Sequence, residues 1–408
     1  MREMKDSGHP WLGMIPASWD VVYPKVLFTQ RKDKAKRGER QLTASQQHGV
    51  VYQDEYMKMT GSRVVVVEKD FDILKHVEAG DFVISMRSFQ GGVEYSENTG
   101  CISSAYVMLI PHPEYVNNGY FKWLLKSPTY IKALQSTSNL VRDGQAMRYS
   151  NFVQVWLPVI PVHEQVAIAE MLNRKCSQID TLIANVQVQI EKLKAYKQSL
   201  ITEVVTKGLD PTVPMKDSGV EWIGEIPAHW NVIRFRFIAK ITTGNQDTQN
   251  ANPDGIYPFY VRSPIVERCD TYTFDGEGIL MAGDGAGAGR VFHLVNGKYA
   301  VHQRVYRFYD FKYMKPALMK LYLETMFSTV MDYGSAKTTV PSVRLPMIQD
   351  FYVCVPPENE QQKMLLFLSE KTEKIEKLIA IKQAKIDKLN EYKKSLIYEY
   401  VTGKKEVQ

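Results

Sequence analysis

The chain has 408 residues, with 51 Lys and Arg against 45 Asp and Glu for a net charge of +6. That length exceeds one ordinary core and predicts two domains of about 100 to 150 residues with connecting helices. The mild basic excess is only weak evidence for a polyanionic partner. Four scattered cysteines, Cys101, Cys176, Cys269 and Cys354, form no CxxC pair, which argues against a disulfide framework and suggests no metal site. No stretch approaches the roughly 18 apolar residues of a membrane span and the N-terminus lacks a signal-peptide core, so a soluble chain of a reducing cytoplasm is expected.

In chain order, residues 1–20 hold a frame segment, MKDSGHPWLGMIPASW at 4–19, that returns as MKDSGVEWIGEIPAHW at 215–230. Residues 21–160 read as a mixed α/β domain. Its β-rich runs are VVVVE at 64–68, DFVISM at 81–86 and SAYVMLI at 104–110, and YFKWLLKSPTYIKAL reads as helical. Residues 161–230 form a central frame, in which PVHEQ at 161–165 opens a long helix over about 163–206 that ends in YKQSLITEVVT. Leu172, Ile179, Val186, Leu193 and Leu200 fall seven apart along it, with Leu182, Ile183, Ile190 and Tyr196 on the adjoining edge. Such a stripe seeks a partner helix.

Residues 231–356 read as a second mixed α/β domain, with strands at 278–283, 290–295 and 299–309 and a helix near 317–326. Residues 357–408 repeat the frame helix. PENEQ at 357–361 opens it, YKKSLIYEYVT closes it, and Leu368, Ile375, Leu389 and Leu396 repeat the stripe, beside Leu378, Ile379, Ile386 and Tyr392. Lys382 replaces the apolar residue of the first copy, either to fix register or as a lysine snorkelling at a loosened seam. A period of about 200 residues makes the repeating unit a domain plus a helix, longer than any solenoid repeat. Joining the C-terminus to the N-terminus would recreate the central frame, so pseudo-two-fold symmetry with neighbouring termini is expected. The fold class is therefore α/β: two mixed α/β domains separated by two long antiparallel helices that form a coiled coil. The alternative is that each helix packs only on its own domain.

Two segments invite chemistry. The glycine-rich run GDGAGAGR at 283–290 could cradle a phosphate, but it lacks the Gly-Lys-Ser/Thr ending of a P-loop and precedes a strand. Alternatively, it is a tight loop that turns the chain or lets backbone approach DNA. Arg31, Lys32, Lys34, Lys36, Arg37 and Arg40 suit phosphates, or form a solvated charged loop. No P-loop, no Asn-Pro-Pro-aromatic motif and no metal-binding carboxylate pair with a lysine are recognisable. His163 has Asn359 as its counterpart, which argues against a catalytic role. No catalytic residue and no metal ligand is assigned.

The doubled MKDSG..W.G.IP..W segment, the P..EQ helix start and the YK.SLI.E.VT helix end, with GDFVISMRSFQGG and GSAKTTVPSVRLP between them, resemble the specificity subunits of type I restriction-modification systems over essentially the whole chain. The resemblance implies two target recognition domains, each reading one half of a bipartite, asymmetric DNA site, with the coiled coil as spacer. It also implies two modification subunits that carry S-adenosylmethionine and methylate adenine N6. Restriction subunits would translocate and cut using ATP and Mg, and no cofactor is expected on this chain.

Base readout needs Arg, Gln, Asn and Ser at base edges, with cations on phosphates. The first domain offers Arg87, Ser88 and Gln90 after a strand, then Arg142, Gln145, Arg148 and Tyr149. The second offers Arg290, Gln303 and Arg304, then Lys337, Thr338, Thr339, Ser342 and Arg344. The last stretch of each set lies just before a frame helix, at matching positions. Two other readings are a nucleic-acid-processing enzyme using the glycine loop and a helical scaffold that binds no DNA.

Overall fold

The computed structural model describes residues 2–67, 71–86, 88–137, 147–334 and 341–407. It divides into two units, Met1–Val186 with Ala384–Gln408, and Gln187–Gln383. Both long helices, Val162–Lys207 and Glu358–Val401, contribute to both units.

Each unit opens on the same small hairpin, Met4–Asp6 with Met14–Pro16 in the first and Met215–Asp217 with Glu225–Pro227 in the second. The repeated DSG string is explained by its turn: the Asp6 carboxylate accepts the Gly8 N–H and Asp217 that of Gly219, both at 3.0 Å. The glycines take φ +72° and +73°, a region that other residues enter only at a cost. The hairpin leads to a tryptophan, Trp19 or Trp230, that is fully buried.

The P..EQ motif explains how each frame helix is anchored. The Trp19 indole donates to Glu164 at 3.1 Å and the Trp230 indole to Glu360 at 2.9 Å. A second donor faces each carboxylate, Arg2 at 2.8 Å in the first unit and His229 at 2.6 Å in the second. Burial pushes the Glu164 carboxyl up, but the hydrogen bonds from Arg2 and Trp19 outweigh it and hold the group below the usual carboxylate range. The neighbouring glutamines staple three backbone groups. Gln165 accepts the Asn117 N–H at 2.7 Å and donates to the carbonyls of Tyr115 and Ile160 at 2.7 and 3.0 Å. Gln361 does the same with Lys315, Tyr313 and Pro356, at 2.8, 2.7 and 2.8 Å. Both side chains are almost wholly buried, where such groups must be paired.

Above this base each unit builds the same four-stranded antiparallel sheet. In spatial order it is Phe28–Arg31, Val107–Pro111, Phe82–Ile84, Glu94–Tyr95 in the first unit and Lys240–Thr243, Val305–Tyr309, Gly278–Ala282, Phe292–Val295 in the second. Its apolar face packs on helices and closes one core per unit. The units diverge between the first and second sheet strands in sequence. There the first has a hairpin, Leu42–Ser45 with Gly49–Tyr52, followed by the helix Gln53–Thr60. The second has the strand Tyr257–Tyr260, which pairs parallel with Lys298–Val301 from later in the chain to form a further sheet. The expected strand at 64–68 is absent from the described part: Val64–Val67 runs outside any sheet, with Val65 85% exposed. The valine run reads as strand by propensity but finds no partner edge. The single run expected at 299–309 is two strands broken at His302–Arg304.

Within each unit the two frame helices pack antiparallel, on each other and on the domain. In the first, Leu172, Ile179, Val186 and Leu396 are buried and Leu389 is half-buried. In the second, Leu368 and Ile375 are buried, and Leu193 and Leu200 are half-buried. An ion pair recurs with the helices' roles exchanged: Lys393 with Asp180 at 2.6 Å in the first unit and Lys197 with Glu376 at 2.5 Å in the second. Lys382 donates to Gln189 on the opposite helix at 2.6 Å, so this position is a polar contact across the seam. The adjoining edge is narrower than expected. Leu182, Tyr196, Leu378 and Tyr392 are 48, 57, 47 and 54% exposed, because each unit leaves that side of its helix pair uncovered.

The helix ends close the frame. Gly208 and Gly403 follow the two helices at φ +77° and +70°, the left-handed stop that glycine favours. Gly403 lies against Pro16 and Trp19, and Gly208 against Trp230. Lys404 donates to the Leu12 carbonyl at 2.7 Å and the Tyr120 hydroxyl to that of Val401 at 2.7 Å. Both ends of the chain therefore meet within the first unit, as the permuted order of the motifs requires.

Candidate nucleic-acid interface

Equivalent sheets place equivalent connections. The link from the third to the fourth strand of the sheet order spans 85–93 in the first unit and 283–291 in the second. The stretch with Arg87, Ser88 and Gln90 and the glycine loop ending at Arg290 are thus the same connection in two versions.

In the first unit this link carries a single helical turn, Ser88–Gly91. Ser88 is buried, and its hydroxyl accepts the Ser85 N–H at 2.8 Å. It shapes the loop and does not present its hydroxyl outward, a correction to its expected role at base edges. Gly92 takes φ +81°, and a Cβ there would lie 2.3 Å from the Leu125 carbonyl, so only glycine fits. Gln90 is exposed; Arg87 lies outside the described residues. Beside the turn opens a cleft of about 820 Å³ whose lining includes Thr43, Ser45, Gln46, Tyr56, Arg63 and Tyr106. Arg63 and Tyr56 were not singled out from the sequence, because nothing in local spacing shows that the inserted hairpin and helix fold back to this turn.

In the second unit five N–H groups of the glycine loop are turned inward. The N–H groups of Gly283, Gly285, Ala288, Gly289 and Arg290 are all donated to carbonyls of the chain itself, whereas an anion site needs free N–H groups aimed at the ligand. Asp284 projects from the loop, its side chain 13% exposed, and accepts Arg262 at 3.0 Å and Arg304 at 2.6 Å. Burial pushes its carboxyl up, but the hydrogen bonds from Arg304 and then Arg262 outweigh that and keep it below the usual range. Gln303 donates to Asp247 at 2.7 Å. His302 is buried and accepts the Arg304 N–H on Nδ1 at 3.0 Å. Burial, followed by the Arg262 charge, pushes its pKa down, which favours the neutral ring that this contact needs. Ser342 is exposed and pairs with Asp284 in an antiparallel bridge. The structure thus gathers Arg304, Gln303, Ser342 and the glycine loop from distant parts of the sequence. Arg290 is exposed at the loop's end and makes no ion pair among the described residues.

Arg148 and Arg344 occupy one position in two copies. Each is the exposed N-cap of a short helix, Tyr149–Phe152 or Leu345–Gln349, that leads into the last strand before a frame helix. Asn151 fixes the first of these by accepting the Arg148 N–H at 3.0 Å and donating to the Thr137 carbonyl at 2.9 Å. Both guanidinium groups are without an ion pair among the described residues. Tyr149 is half-buried and stacks on Phe152 with ring centroids 6.3 Å apart, so much of its surface is spent on packing. Arg142, Gln145, Lys337, Thr338 and Thr339 lie outside the described residues. The basic cluster near the N-terminus divides. Arg31 is bidentate to the buried Asp81 at 2.6 and 2.9 Å, and Arg40 binds Asp54 and Glu55 while lying 3.5 Å over the Tyr52 ring. Lys34 donates to the Asp72 carbonyl, leaving Lys32, Lys36 and Arg37 exposed.

Residues 227–402 match the model of the type I restriction modification DNA specificity domain. The chain is 29% identical over 143 residues to the type I restriction enzyme EcoDI specificity subunit of Escherichia coli, covering 34% of this chain and 30% of that one. It is 23% identical to the MjaVIII specificity subunit of Methanocaldococcus jannaschii over 86% of this chain and 82% of the relative. Among solved structures, a chain from work on complex assembly and conformational transition of the type I R-M system covers 95% of this chain and 98% of its own length at 12% identity, with a TM-score of 0.71. The HsdS subunit of Thermoanaerobacter tengcongensis covers 95% of this chain and 98% of its own length at 12% identity, with a TM-score of 0.51. These two likenesses establish the fold. With its frame written twice and a specificity subunit matched along most of its length, the chain is similar to the specificity subunits of type I restriction-modification systems.

Proposed function

We propose that each unit reads one half of a bipartite, asymmetric DNA site, and that this chain catalyses nothing itself. One observation carries the reading: the indole-to-glutamate bond and the three glutamine bonds of the frame recur in both units, while the side chains on the two equivalent connections do not. A shared frame suits two copies of one partner, and divergent faces suit two different DNA sequences. The partners are two modification subunits, which bring S-adenosylmethionine and methylate adenine N6, and restriction subunits that use ATP and Mg, all in the cytoplasm. The half-exposed Leu182 and Tyr392 of the first unit recur as Leu378 and Tyr196 in the second, which fits one modification subunit docking twice. The helices act as the spacer.

Arg148→Ala and Arg344→Ala test the reading faces. Each variant should weaken binding of the assembled complex in one half-site, by about 1 to 3 kcal/mol with relaxed specificity at one position if the guanidinium is bidentate to a base. Titrations against single-base variants of the site measure this. A loss uniform over all sequences would make that arginine a phosphate contact.

A further inference from the structure

Asp284 holds two arginines at once. Arg262 and Arg304 each donate through Nη1, to Oδ1 and Oδ2 of the carboxylate. The carboxylate is sheltered, while the two arginine side chains are 43 and 63% exposed. Using Nη1 leaves the Nε–H and Nη2–H edge of each guanidinium intact, and neither edge is bonded among the described residues. That edge is a planar pair of parallel donors.

The backbone beneath is fixed from several directions. The Gly283 N–H donates to the Arg304 carbonyl at 2.9 Å, and Gly285 and Val343 bond to Pro341 and Gly283 at 3.0 and 2.8 Å. A Cβ at Gly283 would sit 2.8 Å from the Arg304 carbonyl oxygen, so the glycine is what lets the two strand ends approach. Arg304 is held at its own N–H by His302 and at its guanidinium by Asp284.

Two features favour bases over phosphates as the target. A phosphate contact draws on charge and tolerates a mobile side chain, yet here one partly sheltered anion cancels half the charge of the pair. What remains is orientation, already restricted before DNA arrives, which lowers the ordering cost of binding. A fixed two-donor edge matches the adjacent O6 and N7 acceptors of guanine in the major groove. We infer that Arg262 and Arg304 are the guanine-reading side chains of the second unit, with Asp284 as the positioning residue that sets both. This rests on the DNA-reading function proposed above and assigns a base class to one of its two faces.

The test uses cells whose adenine methylation depends on this chain assembled with its modification subunits, with methylated sites mapped genome-wide. Arg262→Lys and Arg304→Lys keep the charge and the pairing with Asp284 but lose the fork. Each should reduce discrimination at one G·C position of one half-site by about 5- to 150-fold and leave the other half unchanged. Asp284→Asn should relax the same two positions together. An unchanged motif in both lysine variants, a loss of methylation spread evenly over all sites, or a parental half-site without a G·C pair would each overturn the assignment. A parental chain that gives no bipartite motif would instead overturn the function proposed above.

Discussion

Replacing Gln165 with Ala is expected to destabilise the first unit by about 3 kcal/mol or more, and Gln361→Ala to do the same to the second. Each glutamine satisfies one N–H and two carbonyls in a buried position, and a buried backbone group left unpaired costs about 1 to 3 kcal/mol. The groups belong to the loop before a domain helix and to the strand end before the frame helix, so the loss should loosen the joint between domain and helix. Hydrogen exchange resolved along the chain is the measurement. Protection should fall around 115–117 and 160–168 in the first variant and around 313–315 and 356–364 in the second. Unaltered protection at the Asn117 and Lys315 amides and in the surrounding segments would show that water replaces the glutamine without cost.

Gly403→Ala should cost more than Gly208→Ala, although the two glycines end equivalent helices. Both sit at positive φ, which costs a residue with a Cβ about 1 to 2 kcal/mol. At Gly208 the added Cβ would meet Trp230 at 3.1 Å, a contact that a small shift relieves. At Gly403 it would lie 2.5 Å from Pro16 and 2.8 Å from Trp19, and overpacking of that kind adds about 1 to 3 kcal/mol. Thermal unfolding should therefore show a loss of about 2 to 5 kcal/mol for Gly403→Ala and about 1 to 2 kcal/mol for Gly208→Ala. Equal losses would mean that the first hairpin yields as readily as the second.

The frame was legible because it is written twice: the hairpin, the tryptophan, the helix start and the helix end all recur in order. Their chemistry was not. Repetition marks Glu164 and Gln165 without showing that one accepts an indole and the other staples a loop, since the partners lie up to 145 residues away. Heptad spacing found the buried Leu172, Ile179 and Leu396, but it cannot tell how wide the covered stripe is, so Leu182 and Tyr196 were expected inside and lie half outside. Charge alone grouped Arg31 with Lys32, yet Arg31 is spent on Asp81. The candidate reading faces were legible as loops beside strands. Arg262 and Asp284 were missed because their pairing depends on how the further sheet of the second unit folds against the glycine loop.

The central claim is that each unit reads its own half of the DNA site. Its most direct test is the methylated site of a chain whose residues 21–160 are replaced by the corresponding segment of another specificity subunit, mapped genome-wide. The frame residues Trp19 and Glu164 stay in place, so the graft keeps the tryptophan-to-glutamate anchor. A motif with one half-site exchanged and the other retained is the expected result, whereas a change in both halves, or in neither, would contradict separate reading by the two units.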